Sequence, residues 1–247
     1  MAEIKNIYKN ILKSISNKEK LLAVLIDPDK FSVENTEFFI RKVNASIITH
    51  IFVGGSTVEE GVTHILVAEI KKQTKLPVIL FPGDVTQITN HADGLLFLSL
   101  ISGRNPEYLI GKHVESISKL RKTNLEVIST GYILIENGKE TAVQRVTGTQ
   151  PIPRTAIQNI IDTAKAGELL GMKLIYLEAG SGAKNPVSSE IIKTVKQELQ
   201  IPLIVGGGIR NKQQLAQAYG SGADMVVIGT AFEEDEAFFD ALTRIMH

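Results

Sequence analysis

The residues able to do chemistry lie at the ends of short apolar runs. Two of these endings are rich in glycine: Val205-Gly206-Gly207-Gly208-Ile209-Arg210, and Val226-Val227-Ile228-Gly229-Thr230. Without a Cβ the backbone can approach an anion closely, and successive N–H groups can converge on it. A helix start just beyond the first ending adds positive potential. The pattern suits a phosphate group, with plain tight turns as the structural alternative. In Leu174–Glu178 a period of two puts Leu174, Tyr176 and Glu178 on one face and Ile175 and Leu177 on the other. A phenol and a carboxylate therefore point the same way. Behind them Ala179-Gly180-Ser181-Gly182 is a loop able to wrap a small substrate. A general base is the commonest use of such a carboxylate; a strand-end ion pair is the alternative. Asp27 suits a magnesium ion, which keeps several waters and takes one or two protein ligands. It equally suits an Asx turn before Pro28. Ser56 is either a site hydroxyl or, with Thr57, part of the cap of the next helix.

Other chemistries lack their residues. The five histidines (His50, His64, His91, His113 and His247) show no zinc-ligand spacing. The chain has no cysteine, hence no thiol nucleophile and no disulfide, which fits a reducing compartment. It contains no G-x-S-x-G elbow and no P-loop, and no lysine ends the sixth apolar run, so Schiff-base chemistry has no support. Glu233 to Glu236 read as the charged first turn of a helix rather than as a metal cluster. Lys+Arg and Asp+Glu number 27 each, and a net charge of zero without a basic run argues against nucleic-acid binding. With 43% apolar and 22% charged residues in 247, the composition is globular. Neither a signal-peptide core nor an apolar run near the ~20 residues of a membrane span is present. A soluble, cytoplasmic protein is expected.

The elements that must position these residues follow from hydrophobic periodicity. Apolar positions from Ile4 to Ile15 predict an amphipathic helix over Glu3 to Asn17. Eight Val/Ile/Leu-rich runs then recur: Leu21–Asp27, Ile47–Gly55, Leu76–Gly83, Gly94–Leu100, Leu125–Ile135, Lys173–Gly180, Ile201–Gly208 and Ala223–Thr230. Continuous apolarity suits strands covered on both faces, as in parallel sheets. Helix-like stretches separate most of them. Thr57-x-x-Glu60 and Thr155-x-x-Gln158 look like capping boxes, and Asn211-x-x-Gln214 like an N-cap pair. Eight strands alternating with helices, in about the ~250 residues typical of the fold, predict one (βα)8 TIM-type barrel spanning 1–247, with an extra N-terminal helix. A doubly wound sheet would place a Gly-rich fingerprint after the first strand, where Leu25-Ile26-Asp27-Pro28-Asp29-Lys30 stands instead. Asn137-Gly138, between two strand-like runs, predicts a hairpin projecting near the active-site face.

The ordered motifs LIDPDK, FVGGST, FPGD, SLISGRNPEYLIG, GYILIENG, YLEAGSGA, VGGGIR and IGTAFEED cover nearly the whole chain. Together they resemble the geranylgeranylglyceryl phosphate synthase family, and the length and the SLISGRNPEYLIG segment resemble its group II branch. The resemblance implies a magnesium-dependent prenyltransferase of ether-lipid synthesis. It would join the 3-hydroxyl of sn-glycerol 1-phosphate to a polyprenyl diphosphate, with geranylgeranyl favoured and heptaprenyl the alternative, and release diphosphate. It implies magnesium at Asp27 and Ser56, and glycerol phosphate held by Tyr176, Leu177, Glu178, Ala179, Gly180, Ser181 and Gly182. Gly207, Gly208, Gly229 and Thr230 would hold the phosphate, and Glu178 would be the base. Short bacterial relatives carry a lysine where this chain has Leu25, with Lys30 a conjectural substitute. A homo-oligomer, dimer or hexamer, is also implied. The rival readings are a sugar-phosphate isomerase, an FMN oxidoreductase, and a non-catalytic barrel that binds a phosphorylated lipid precursor.

Overall fold

The computed structural model describes residues 6–229 and Leu242. Eight parallel strands close into a barrel in sequence order: β1 (Leu21–Ile26), β2 (His50–Val53), β3 (Val78–Leu80), β4 (Gly94–Leu100), β5 (Glu126–Leu134), β6 (Leu174–Glu178), β7 (Leu203–Gly206) and β8 (Met225–Ile228). Pairing of β1 with β8, Leu21 opposite Met225, completes the circle. The fold is the expected (βα)8 barrel, and each strand lies within its predicted apolar run.

Alternation along the strands separates two apolar layers. Ala23, Phe52, Ile79, Leu96, Tyr132, Tyr176, Ile204 and Val227 fill the barrel interior. Val24, Ile51, Leu80, Leu95, Ile133, Leu177, Val205 and Val226 pack outward against the helices. Those helices are α2 (Thr36–Asn44), α3 (Val62–Gln73), α4 (Lys112–Leu120), α5 (Ala142–Thr147), α6 (Ile157–Leu169), α7 (Ser189–Glu198) and α8 (Lys212–Gly220). Helix α1 (Ile7–Ser16) adds Ile7 and Ile11 to the interior layer. The Glu126 carboxylate, at the start of β5, accepts from the N–H groups of Ile7 and Tyr8 and so anchors the first turn of α1.

Between β3 and β4 the described chain makes only a 3₁₀ turn, Val85–Gln87, in place of a helix. The outer residues Leu95 and Phe97 of β4 therefore border a cavity roofed by α4 and the π-helical turn Glu107–Gly111 before it.

Three local expectations are corrected. Thr57-x-x-Glu60 does not open α3, whose N-cap is Gly61 in the left-handed conformation (φ 88°). Thr155-x-x-Gln158 is not a capping box, because a turn in which the Ala156 N–H donates to Pro153 O makes Ala156 the N-cap of α6. The Asn137-Gly138 hairpin is absent among the described residues. β5 gives way to a single parallel bridge, Ile135 with Ile152, and Thr141 caps α5 by accepting from the Gln144 N–H at 3.1 Å. Thr141-x-x-Gln144 is itself a helix-start signal, and it overrides the turn dipeptide. Asn211, by contrast, caps α8 as expected, accepting from the Gln214 N–H at 2.9 Å. The charged run Glu233 to Glu236 lies outside the described residues.

One device recurs beneath the barrel. Asp93 and Asp224, each just ahead of a strand, accept the first N–H of the neighbouring strand (Val78 and Leu203, both 2.8 Å). Each also pairs with a lysine of the covering helix, Lys71 at 2.7 Å and Lys196 at 2.6 Å. Replacing Asp224 by Ala strands a buried N–H and a half-buried ammonium. The expected cost is roughly 2–4 kcal/mol, read as a lower denaturation midpoint at unchanged m-value. Asp224→Asn, which keeps an acceptor, should lose less.

Candidate functional site

The C-terminal strand ends converge on a polar cavity of about 470 Å³. It is bordered by Asp27 and Lys30 from β1, Gly55 and Ser56 from β2, Tyr176 and Glu178 from β6, Gly180–Gly182, Gly207 and Gly208 after β7, and Gly229 after β8. Thr230 lies outside the described residues. Leu177 and Ala179 point into the outer layer, so any role of theirs toward a ligand falls to their backbone.

Glu178 lies at the floor of this cavity, 6% exposed. Its Oε1 accepts from the Gly180 N–H. Burial raises its pKa to about 7, against the lowering effects of the Gly180 N–H and the Tyr176 hydroxyl. No cation is paired with it among the described residues, so the strand-end ion pair is not realised. The Tyr176 hydroxyl is fully buried and lacks a hydrogen-bond acceptor of good geometry. Burial first, then the Glu178 charge, pushes its pKa well up, which keeps the phenol protonated as a donor.

The glycines at the end of β7 make room for the side chains of β6. A Cβ on Gly206 would lie 2.2 Å from the Tyr176 hydroxyl, and one on Gly207 would lie 2.4 Å from Glu178 Oε1. Gly207 and Gly208 both have positive φ (84° and 74°), a turn that side chains with a Cβ rarely adopt. Their bareness makes room for the phenol and the carboxylate, and Gly207 and Gly208 border the cavity.

Asn137 ties a further loop to the site. Its side chain donates to Ala179 O and accepts from the Lys139 N–H at 3.1 Å, an Asx turn in place of the expected hairpin. Lys139 and Arg145 thereby border the polar cavity, as expected of a projection at this face.

Just after β1, Asp27 is one-fifth exposed and forms the expected Asx turn. Its Oδ1 accepts from the Asp29 N–H at 3.2 Å, the Asx turn, while its Oδ2 meets Lys30 Nζ at 2.8 Å beside the cavity. Lys30 thus brings a cation to the strand end where Leu25 cannot. Ser56 borders the cavity and caps nothing, since α3 begins six residues later. Asp27 and Ser56 supply hard oxygen donors, the chemistry magnesium prefers. No cluster of three or more metal-ligating side chains exists among the described residues.

A second, mostly apolar cavity adjoins the first, lined by Leu95, Phe97, Leu98, Tyr108, Val143 and Val146. Gly55, Ser56, Phe81, Tyr132 and Val143 border both. Sequence reasoning passed over Phe81, Tyr132, Lys139 and Arg145. Period two would have found Tyr132, which is register-paired with Tyr176 on the inner face. Lys112, also in this second cavity, pairs with Asp84 at 2.9 Å, and that hydrogen bond raises the lysine pKa above its usual range.

Comparison with known proteins agrees in fold and sequence. A protein named geranylgeranylglyceryl phosphate synthase from Flavobacterium johnsoniae is 56% identical over 235 residues, 95% of this chain and 97% of the relative. One of the same name from Zunongwangia profunda is 57% identical, covering 92% of this chain and 96% of the relative. The crystal structure of (S)-3-O-geranylgeranylglyceryl phosphate synthase from Thermoplasma acidophilum, in complex with its substrate sn-glycerol-1-phosphate, superposes with a TM-score of 0.89. It is 32% identical, with 96% of this chain and 95% of that chain covered. No described helix is long and apolar enough to cross a membrane. The PcrB family model matches residues 14–246, and the chain belongs to that family.

Proposed function

We propose that the chain is a prenyltransferase joining the 3-hydroxyl of sn-glycerol 1-phosphate to geranylgeranyl diphosphate. The products are the glyceryl ether and diphosphate. The observation that carries this reading is the adjoining of two unlike cavities, one of which holds a buried carboxylate. A polar cavity suited to glycerol phosphate and bordered by Glu178 adjoins an apolar one suited to a prenyl chain. The names of the close relatives and the ligand of the Thermoplasma acidophilum enzyme support the same assignment.

In this reading, the N–H groups of Gly207, Gly208 and Gly229 hold the phosphate, with Thr230 expected to join them, while the Gly180 N–H stays on Glu178. Tyr176 through Gly182 embrace the glycerol. The Tyr176 hydroxyl, lacking a well-placed acceptor of its own, donates to a glycerol oxygen. Glu178, with a pKa near 7, accepts the proton of the reacting hydroxyl as its oxygen bonds to C1 of the donor. The C1–O bond of the donor breaks with its electron pair leaving on diphosphate. Asp27 and Ser56 would hold magnesium, which when bound neutralises charge on the departing diphosphate. The apolar cavity keeps water from the electrophilic carbon.

Turnover is followed by transfer of radiolabelled sn-glycerol 1-phosphate into an organic phase. Transfer with the C20 diphosphate is the expected result, and a preference for the C35 donor would assign a heptaprenyl enzyme instead. Failure with every polyprenyl donor would overturn the proposal. Glu178→Gln should lower kcat by about 10²–10⁴-fold while calorimetric binding of glycerol phosphate persists. Because the raised pKa leaves Glu178 protonated in acid, kcat should rise with pH through about 7 and then level, a limb absent from Glu178→Gln. With Asp27 the one carboxylate proposed for the metal, titration calorimetry should find weak magnesium binding to the protein alone and tight binding once an unreactive diphosphate analogue is present.

A further inference from the structure

Phe81, Tyr132 and Tyr176 form a closed triangle of rings at the junction of the two cavities. Ring centroids are 5.9 Å apart for Phe81 and Tyr132, 5.4 Å for Phe81 and Tyr176, and 5.3 Å for Tyr132 and Tyr176. Interplanar angles of 38° to 54° keep the rings from covering one another's faces. Phe81 and Tyr132 border both cavities, while Tyr176, fully buried, completes the triangle next to Glu178. Phe52 stacks on Phe81 at 6.4 Å, 10° from parallel, and holds it in place.

The position matters because of what the proposed reaction does there. A donor whose chain occupies the apolar cavity and whose diphosphate occupies the polar one must pass its C1 across the junction. As the C1–O bond breaks, positive charge spreads over the allylic carbons C1 and C3. Among the described residues no carboxylate borders both cavities, and Glu178, beside Tyr176 in the polar one, is committed to the glycerol proton. Aromatic faces stabilise a cation without offering a nucleophile that it would alkylate, and they do so most strongly where water is excluded.

Resting on the prenyl-transfer reading, we infer that Phe81 and Tyr132, backed by Tyr176, are catalytic residues whose π faces stabilise the allylic cation. The electron balance is that of the transfer itself: the C1–O pair departs with diphosphate, the glycerol oxygen supplies the new bond, and its proton passes to Glu178. The rings donate no electrons covalently and are unchanged at the end.

The test separates kcat from KM. With saturating glycerol phosphate, Phe81→Leu and Tyr132→Leu should each lower kcat about 10- to 30-fold. KM for the C20 diphosphate should change less than about threefold, since each leucine preserves apolar contact with the chain. Tyr132→Phe, which restores a ring without the hydroxyl, should recover most of the rate lost in Tyr132→Leu. Incorporating mono-, di- and trifluorinated phenylalanine at position 81 should then lower kcat stepwise, by roughly two- to threefold per fluorine, because fluorine withdraws charge from the ring face. Thermal melting of each variant reports whether folding is intact. Leucine variants that keep kcat within twofold, or a kcat indifferent to fluorination, would overturn the inference while leaving prenyl transfer standing. A loss confined to KM or to melting temperature would assign the rings to packing and overturn it equally. If the parent chain makes no ether at all, the reading of the site falls and the inference with it.

Discussion

Burying one carboxylate at the mouth of the barrel is the constraint on which the rest of the site depends. A fully desolvated carboxylate is costly unless it is protonated or well hydrogen-bonded. Here the barrel supplies one well-placed donor, the Gly180 N–H, with the Tyr176 hydroxyl nearby but not well aimed at it, and no cation paired with it among the described residues. That incomplete compensation leaves Glu178 near pH 7, where a base is useful in both its forms. The surrounding sequence is shaped by the same need. Gly206 and Gly207 are bare because any Cβ would strike the phenol or the carboxylate. Thr141 and Asn137 press the 179–180 segment into place from the β5 side.

The architecture extends that local chemistry to a two-substrate site. Inward residues of the strands fill the barrel interior, and the polar cavity lies at its C-terminal mouth. The missing helix between β3 and β4 opens the flank of β4, and α4 with its π-helical turn roofs an apolar cavity there. Pro82-Gly83-Asp84 follows the short β3 and leads into the 3₁₀ turn, with Asp84 accepting from the Thr86 N–H at 3.0 Å. The apolar flank beside the glycine-bordered cavity follows from this one topological departure.

Much of this was legible in the sequence because period and spacing are local properties. The eight runs located the strands, period two in Leu174–Glu178 placed Tyr176 and Glu178 together, and the glycine pairs marked the ends of β7 and β8. What failed was competition between local signals. Asn137-Gly138 read as a hairpin, yet Thr141-x-x-Gln144 made a helix and Asn137 turned its side chain inward to Ala179. Thr57 and Thr155 carried cap signals that nearby Gly61 and the Pro153 turn displaced. Phe81, just past the end of β3, was hidden for a different reason. An aromatic residue in an apolar run gives no sign of facing a cavity until closure of the barrel brings its neighbours around it.

The most direct measurement is the ionisation of Glu178 itself. Carbon-13 spectroscopy of protein labelled at the glutamate side-chain carboxyl, with the signal assigned by Glu178→Gln, follows that one group as pH is varied. A midpoint at about 7 is the predicted result, and it should move when glycerol phosphate binds. A midpoint at the ordinary glutamate value of 4.5 would mean that the carboxylate is solvated. The account of a buried base poised between two substrates would then be wrong.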